Sequence, residues 1–266
     1  MIDIKKADLQ HGWSWVLGGL VTLKNDMSLW VSMGFVYMLI AIVLKLVPFI
    51  GLLLLVLISP MMLAGALQTA ADQLSGAMTA PTRSGSGLSP QGITANLQRA
   101  AGRLFITFSD EEKLIPLMVI STLALGMVVA INILAVLLKI DGSALTAMAA
   151  GSVGPRVWVP ALIGWFLVRF LQLGLIMTVL YSVPLILFRR EMPLLSIEKS
   201  FAASKQNFVA VCAFCAPFLL MYLFINVMFF TLSFPFDDLA VLLLGWLAAP
   251  IFATGLHRSY QDLFRR

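Results

Sequence analysis

SPMMLAGALQTAADQL, residues Ser59–Leu74, and APIFATGLHRSYQDLF, residues Ala249–Phe264, align without a gap. Pro60 is followed five residues later by Gly65 and twelve later by Asp72; Pro250 is followed at the same offsets by Gly255 and Asp262. Both stretches close long apolar runs, so one structural unit is written at least twice in the chain. Pro184, in SVPLILFRREMPLL, holds the comparable place in a third run, without the Gly or the Asp.

Working outward, the runs are long enough to cross a bilayer. A helix needs about 20 apolar residues to span the hydrocarbon core. Six segments qualify: 28–47, 51–71, 114–138, 158–188, 208–234 and 239–256. The 266 residues are 60% hydrophobic and 12% charged. A soluble domain carries about twice that share of charge, so nearly the whole chain belongs in or on a membrane. The expected fold is all-α, a single membrane domain over 1–266 with six transmembrane helices in three hairpins.

Charge sets the orientation. Of eighteen Lys and Arg, Lys45, Lys139 and Arg156 fall on one side, Arg169 falls inside a span, and the remaining fourteen fall on the other side with both termini. Cytoplasmic loops hold the excess of Lys and Arg, which predicts cytoplasmic termini. The net charge of +5 thus reports topology and gives no support to nucleic-acid binding.

An amphipathic pattern precedes each odd span. Leu9, Trp13, Val16, Leu20 and Leu23 form one stripe; Ile93, Leu97, Ala101, Leu104 and Phe108 a second; Leu194, Ile197, Phe201 and Phe208 a third. Gln10, Ser14, Thr22, Gln98, Arg99, Arg103, Lys199 and Ser200 lie opposite, so these helices are expected in the cytoplasmic interface plane. The repeat units become 8–74, 93–192 and 193–264, with a flexible linker at 75–92. Each unit has two spans, so any pseudo-threefold axis runs along the membrane normal and the repeat is parallel.

The opening Gly12-Trp13-Ser14-Trp15, the span ending SPMMLAG and the text SIEKSFAASKQN before span five resemble a family of uncharacterised bacterial polytopic inner-membrane proteins, similar in pattern to YciC-like proteins. They are also similar to the membrane domain of some glycerophosphodiester phosphodiesterases. The resemblance implies a bacterial inner membrane and transfers no catalytic residue.

Few residues carry candidate chemistry. Arg169 is the one ionisable side chain deep in a span, and Gln172 lies one turn on; a charge at that depth marks a candidate binding site. Lys45, Asn132 and Asn226 sit towards the outer ends of spans one, three and five, either as a polar ring or as interhelical glue. Cys212 and Cys215 have redox spacing but no further ligands, and read as packing. Pro60, Pro184 and Pro250, with Gly65 and Gly255, read as close-packing positions. No metal or cofactor site and no catalytic constellation is expected. Two functions follow as expectations: a non-enzymatic protein engaging membrane lipids or membrane-protein partners, or a transporter or lipid carrier with an anion site near Arg169 between the units.

Overall fold

The computed structural model describes residues 4–47, 50–77, 90–137, 155–231 and 237–264. Among these, every regular element is helical. In chain order they are α1 (Leu9–Asn25), α2 (Met27–Lys45), α3 (Ile50–Leu74), α4 (Pro90–Leu104), a 3-10 turn (Ile106–Ser109), α5 (Glu111–Leu137), α6 (Pro155–Val179), α7 (Ser182–Arg189), α8 (Pro193–Gln206), α9 (Phe208–Thr231) and α10 (Asp237–Phe264). Four described stretches are long and apolar enough to cross a membrane: Met27–Lys45, Leu53–Leu74, Glu111–Leu137 and Phe166–Arg189. A fifth exists if α8 and α9 count as one, although the chain bends 91° between them. The linker at 75–92 and the outer loop at 139–157 fall largely outside the described residues, and helix enters both, α4 starting at Pro90 and α6 at Pro155.

Asx side chains cap two of the sharp joints. At the joint between α1 and α2, the buried Asp26 accepts from Leu29 N–H at 3.2 Å and caps α2. The cap meets backbone donors that the first helical turn leaves without partners. At the joint between α8 and α9, Asn207 accepts Ala7 N–H at 2.7 Å and donates to the Lys5 carbonyl at 3.1 Å, tying down the chain's first described residues. Glu111 and Glu112 occupy the first turn of α5, where carboxylates complement the helix dipole.

The fourth apolar run, expected as one helix over 158–188, is broken at Leu180 and Tyr181 into α6 and α7. Pro184 explains the position: its ring clashes with the carbonyl four residues back, at Leu180. Ser200 of α8 bridges the break. Its hydroxyl accepts Tyr181 N–H at 2.9 Å and donates to the Met177 carbonyl at 2.8 Å.

The short helices are also turned differently from expectation. On α1, Val16 does not share a face with Leu9 and Trp13; it is buried with Gly12, Trp15, Gly19 and Thr22, while Leu9, Trp13, Leu17 and Val21 form the exposed stripe. Several polar residues assigned to the outer face point into the protein instead. Thr22 and Ser200 are fully buried, and Arg99 and Arg103 bind carboxylates at the ends of other helices. Buried polar groups must be hydrogen-bonded, and the ends of the long helices offer the carboxylates and carbonyls that do it.

These contacts follow one order. α4 packs on α2 and α3, α8 on α6 and α7, and α1 on α9 and α10. α4 and α1 therefore sit on the two long helices that precede them in cyclic order and α8 on the two halves of the broken fourth run, each more than on the span it leads into. Two apolar clusters fill the interior, a larger one around Tyr181, Ile186, Phe214 and Leu256 and a smaller one around Leu29, Trp30, Met62 and Leu104.

Candidate functional site

Of the residues singled out from sequence, the structure brings Arg169 and Gln172 together. Arg169 Nη1 donates to Gln172 Oε1 at 2.7 Å on an exposed face of α6 that also carries Phe166 and Phe170. Lys45 is exposed in the last turn of α2. Asn132, exposed on α5, spends its amide on the Val128 carbonyl of its own helix at 2.8 Å. The side chain of Asn226 lies outside the described residues. Cys212 is exposed and Cys215 part-buried, both as free thiols. His257 is buried, its ring edge-on to Phe188 with centroids 5.2 Å apart.

The clearest concave feature lies elsewhere, in residues that sequence reasoning did not single out as a site. A cavity of about 360 Å³ lies among α2, α3 and α10, with Trp30, Met33 and Tyr37 on one wall, Met62 and Ala66 on the second, and Gly245, Ala249 and Ala253 on the third. Leu104 of α4 and Phe218 of α9 complete it. The periodicity that builds each wall is helical: residues 30, 33 and 37, like 59, 62 and 66, fall on one face.

One end of the cavity is closed by a polar seam. Trp30 Nε1 donates to Gln73 Oε1 at 2.9 Å, Arg103 Nη1 pairs with Asp72 Oδ2 at 2.7 Å, and Arg99 pairs with Asp26. The two arginine pairs pin α4 across the ends of α2 and α3, and the Trp30 bond ties α2 to α3. Asp26 is 7% and Asp72 23% exposed at the side chain, so these pairs are partly withdrawn from solvent and worth more than a surface pair.

The cavity opens partly to the surface. Its apolar wall gives water few partners, since a buried water needs roughly two to four polar neighbours. Chemically, the site can hold hydrocarbon; its wall carries the hydroxyls of Tyr37 and Ser59, and no group of three or more His, Cys, Asp and Glu suited to a metal occurs among the described residues.

A second, polar hollow is lined by Gln68, Asp72, Thr107, Ser109, Asp110 and Lys113. Its carboxylates are engaged, Asp72 with Arg103 and Asp110 with Lys113 at 2.8 Å. The Lys113 ammonium holds the Asp110 carboxyl below its ordinary range.

No protein-family model, curated protein or solved structure matches this chain.

Proposed function

We propose that the chain is a non-enzymatic integral protein of a bacterial inner membrane that works by engaging lipid or membrane-protein partners. In this reading it has six spans, both termini in the cytoplasm, and three units of a short interfacial helix plus two spans, related by a parallel pseudo-threefold repeat. Support for the arrangement comes from the cyclic seating of α1, α4 and α8 and from the lopsided distribution of Lys and Arg.

One observation carries the functional reading. α1 is locked into the bundle by Gly12, Trp15, Val16 and Gly19, yet turns Leu9, Trp13, Leu17 and Val21 outward, each between 47% and 61% exposed. Such an apolar stripe on a helix lying along the bundle is suited to the headgroup and acyl boundary of a membrane. Purification in mild detergent, with mass spectrometry of what co-purifies, is the test. Retained phospholipid or a stoichiometric membrane protein is expected; recovery of neither, alongside solute flux in liposomes, overturns the reading.

A second reading is a carrier for an anionic headgroup or solute, with Arg169, the cation deep in the fourth apolar run, as its binding charge. Arg169→Leu then abolishes flux without loss of folding. Unchanged flux removes Arg169 as the binding charge.

A further inference from the structure

We propose that the cavity among α2, α3 and α10 binds one acyl chain of a membrane phospholipid. The inference rests on the membrane reading above and adds to it a defined site. An apolar cavity of about 150 Å³ takes up benzene, and this one, at about 360 Å³, has room for on the order of a dozen chain carbons by the same measure.

The wall selects hydrocarbon. Met33 and Met62 offer only carbon and thioether sulfur, the polar groups of Trp30 and Ser59 are already spent, on Gln73 Oε1 and on the Leu55 carbonyl at 2.6 Å, and the Tyr37 hydroxyl is the one other polar side-chain group of the wall. A polar solute would leave most of its own groups unpaired against such a surface.

Two glycines of the wall show where the space closes and where it stays open. A Cβ on Gly34 would fall 2.2 Å from the Trp246 carbonyl oxygen, so α2 and α10 touch there. A Cβ on Gly245 would meet nothing nearer than Tyr37 Cε1 at 3.9 Å. One glycine lets the helices meet and the other leaves the void open. The cavity is partly open to the surface, and the exposed Leu39, Val43, Leu53 and Leu54 of α2 and α3 put bilayer hydrocarbon beside it as the source of the chain.

The test uses the full chain in nanodiscs doped with a phosphatidylcholine that carries a diazirine in one acyl chain, with adducts mapped by mass spectrometry after irradiation. Adducts are expected on Met33 and Met62, which are 2% and 1% exposed, as well as on the outward-facing Leu219 and Leu220. Gly245→Phe and Ala249→Leu each fill the space and should lower labelling of the two methionines about tenfold, equivalent to about 1.4 kcal/mol, with outer labelling and thermal midpoint kept. Outer adducts without any on Met33 and Met62 overturn this inference and leave the membrane reading standing. Absence of both sets overturns the membrane reading itself. Labelling that both filling variants leave unchanged, or that only a diazirine free fatty acid produces, also overturns the proposal.

Discussion

The segments Ser59–Leu74 of α3 and Ala249–Phe264 of α10 carry Pro, Gly and Asp at the same offsets, and in both the Gly admits a short helix while the Asp holds it. The partners differ. Gly65 faces rigid backbone, the carbonyl oxygens of Leu104 and Arg103, at 2.4 and 2.6 Å from where a Cβ would sit. Gly255 faces the edge of the Phe214 ring at 2.7 Å, with the Trp15 carbonyl oxygen further off at 3.2 Å. Asp72 holds α4 through the Arg103 guanidinium, whereas Asp262 holds α1 by accepting Trp15 Nε1 at 3.0 Å. The repeated text therefore specifies where a short helix crosses and leaves open the chemistry that fastens it.

The glycines offer the largest test of that difference. Gly65→Ala drives a methyl into main chain that cannot turn aside, and an overpacked contact costs about 1–3 kcal/mol. We expect the upper end of that range, reduced by the helix preference of Ala over Gly, about 0.5–1 kcal/mol. At Gly255 the first obstacle is a side-chain ring, Phe214, held among Trp15, Phe218 and Phe252, so Gly255→Ala should cost less than Gly65→Ala. Unfolding midpoints of both variants in one detergent decide the matter; equal losses would mean that the two crossings are equally rigid and the comparison fails.

How much of this could be read from the sequence divides along the same line. The apolar runs, the Pro, Gly and Asp offsets and the three short helices were legible because they depend on periodicity and spacing within one segment. The break at Leu180 was not, because an apolar run of 31 residues reads as one helix until Ser200 of another helix supplies partners for Met177 and Tyr181. Thr22, Arg99 and Ser200 were assigned to the cytosolic face for a related reason. Amphipathicity says that polar residues share a face; it does not say whether that face meets water or the carboxylates of a neighbour. The cavity was illegible altogether, since Gly245 and Gly34 look alike in sequence and only the packing of α2 against α10 separates them.

The aspartates should differ by less. Asp72→Asn removes the charge that Arg103 requires, and both side chains are about three-quarters covered, 28% and 23% exposed. A pair between the surface and buried limits is worth about 1–2 kcal/mol. Asp262→Asn keeps a carbonyl oxygen for the Trp15 N–H, so a loss of about 0.5 kcal/mol or less is expected. Raising the salt concentration should narrow the gap, because screening weakens an ion pair more than a hydrogen bond from a neutral indole to a carboxylate. A gap that salt leaves unchanged would show that the Asp72 contact does not depend on the Arg103 charge.

The smallest effect reports on the same pair of aspartates through a distant group. Asp8 caps the start of α1 by accepting His11 N–H at 3.1 Å, and His11 Nδ1 lies 2.8 Å from the same Asp8 Oδ1, to which the protonated ring donates. The Asp8 hydrogen bond raises the His11 pKa above its ordinary 6.5, and the Asp262 charge adds a smaller push in the same direction. His11 in return holds the Asp8 carboxyl below its ordinary 3.8. For the histidine, the stabilisation is fully present below 6.5 and is lost as pH rises through the raised folded value. For the aspartate, it is present above 3.8 and is lost as pH falls through the lowered one. The cap is therefore firmest at about pH 4–6, and amide exchange at Gly12 and Trp13, corrected for intrinsic rates, should be slowest there. An NMR titration of the His11 ring then separates the two segments. Asp8→Asn lowers its midpoint most and Asp262→Asn lowers it less. Asp72→Asn leaves it in place, since Asp72 fastens α4 through Arg103. A shift in the last variant equal to that from Asp262→Asn would mean that the two aspartates act through a shared rearrangement of the bundle, and the local reading of the repeat would have to be given up.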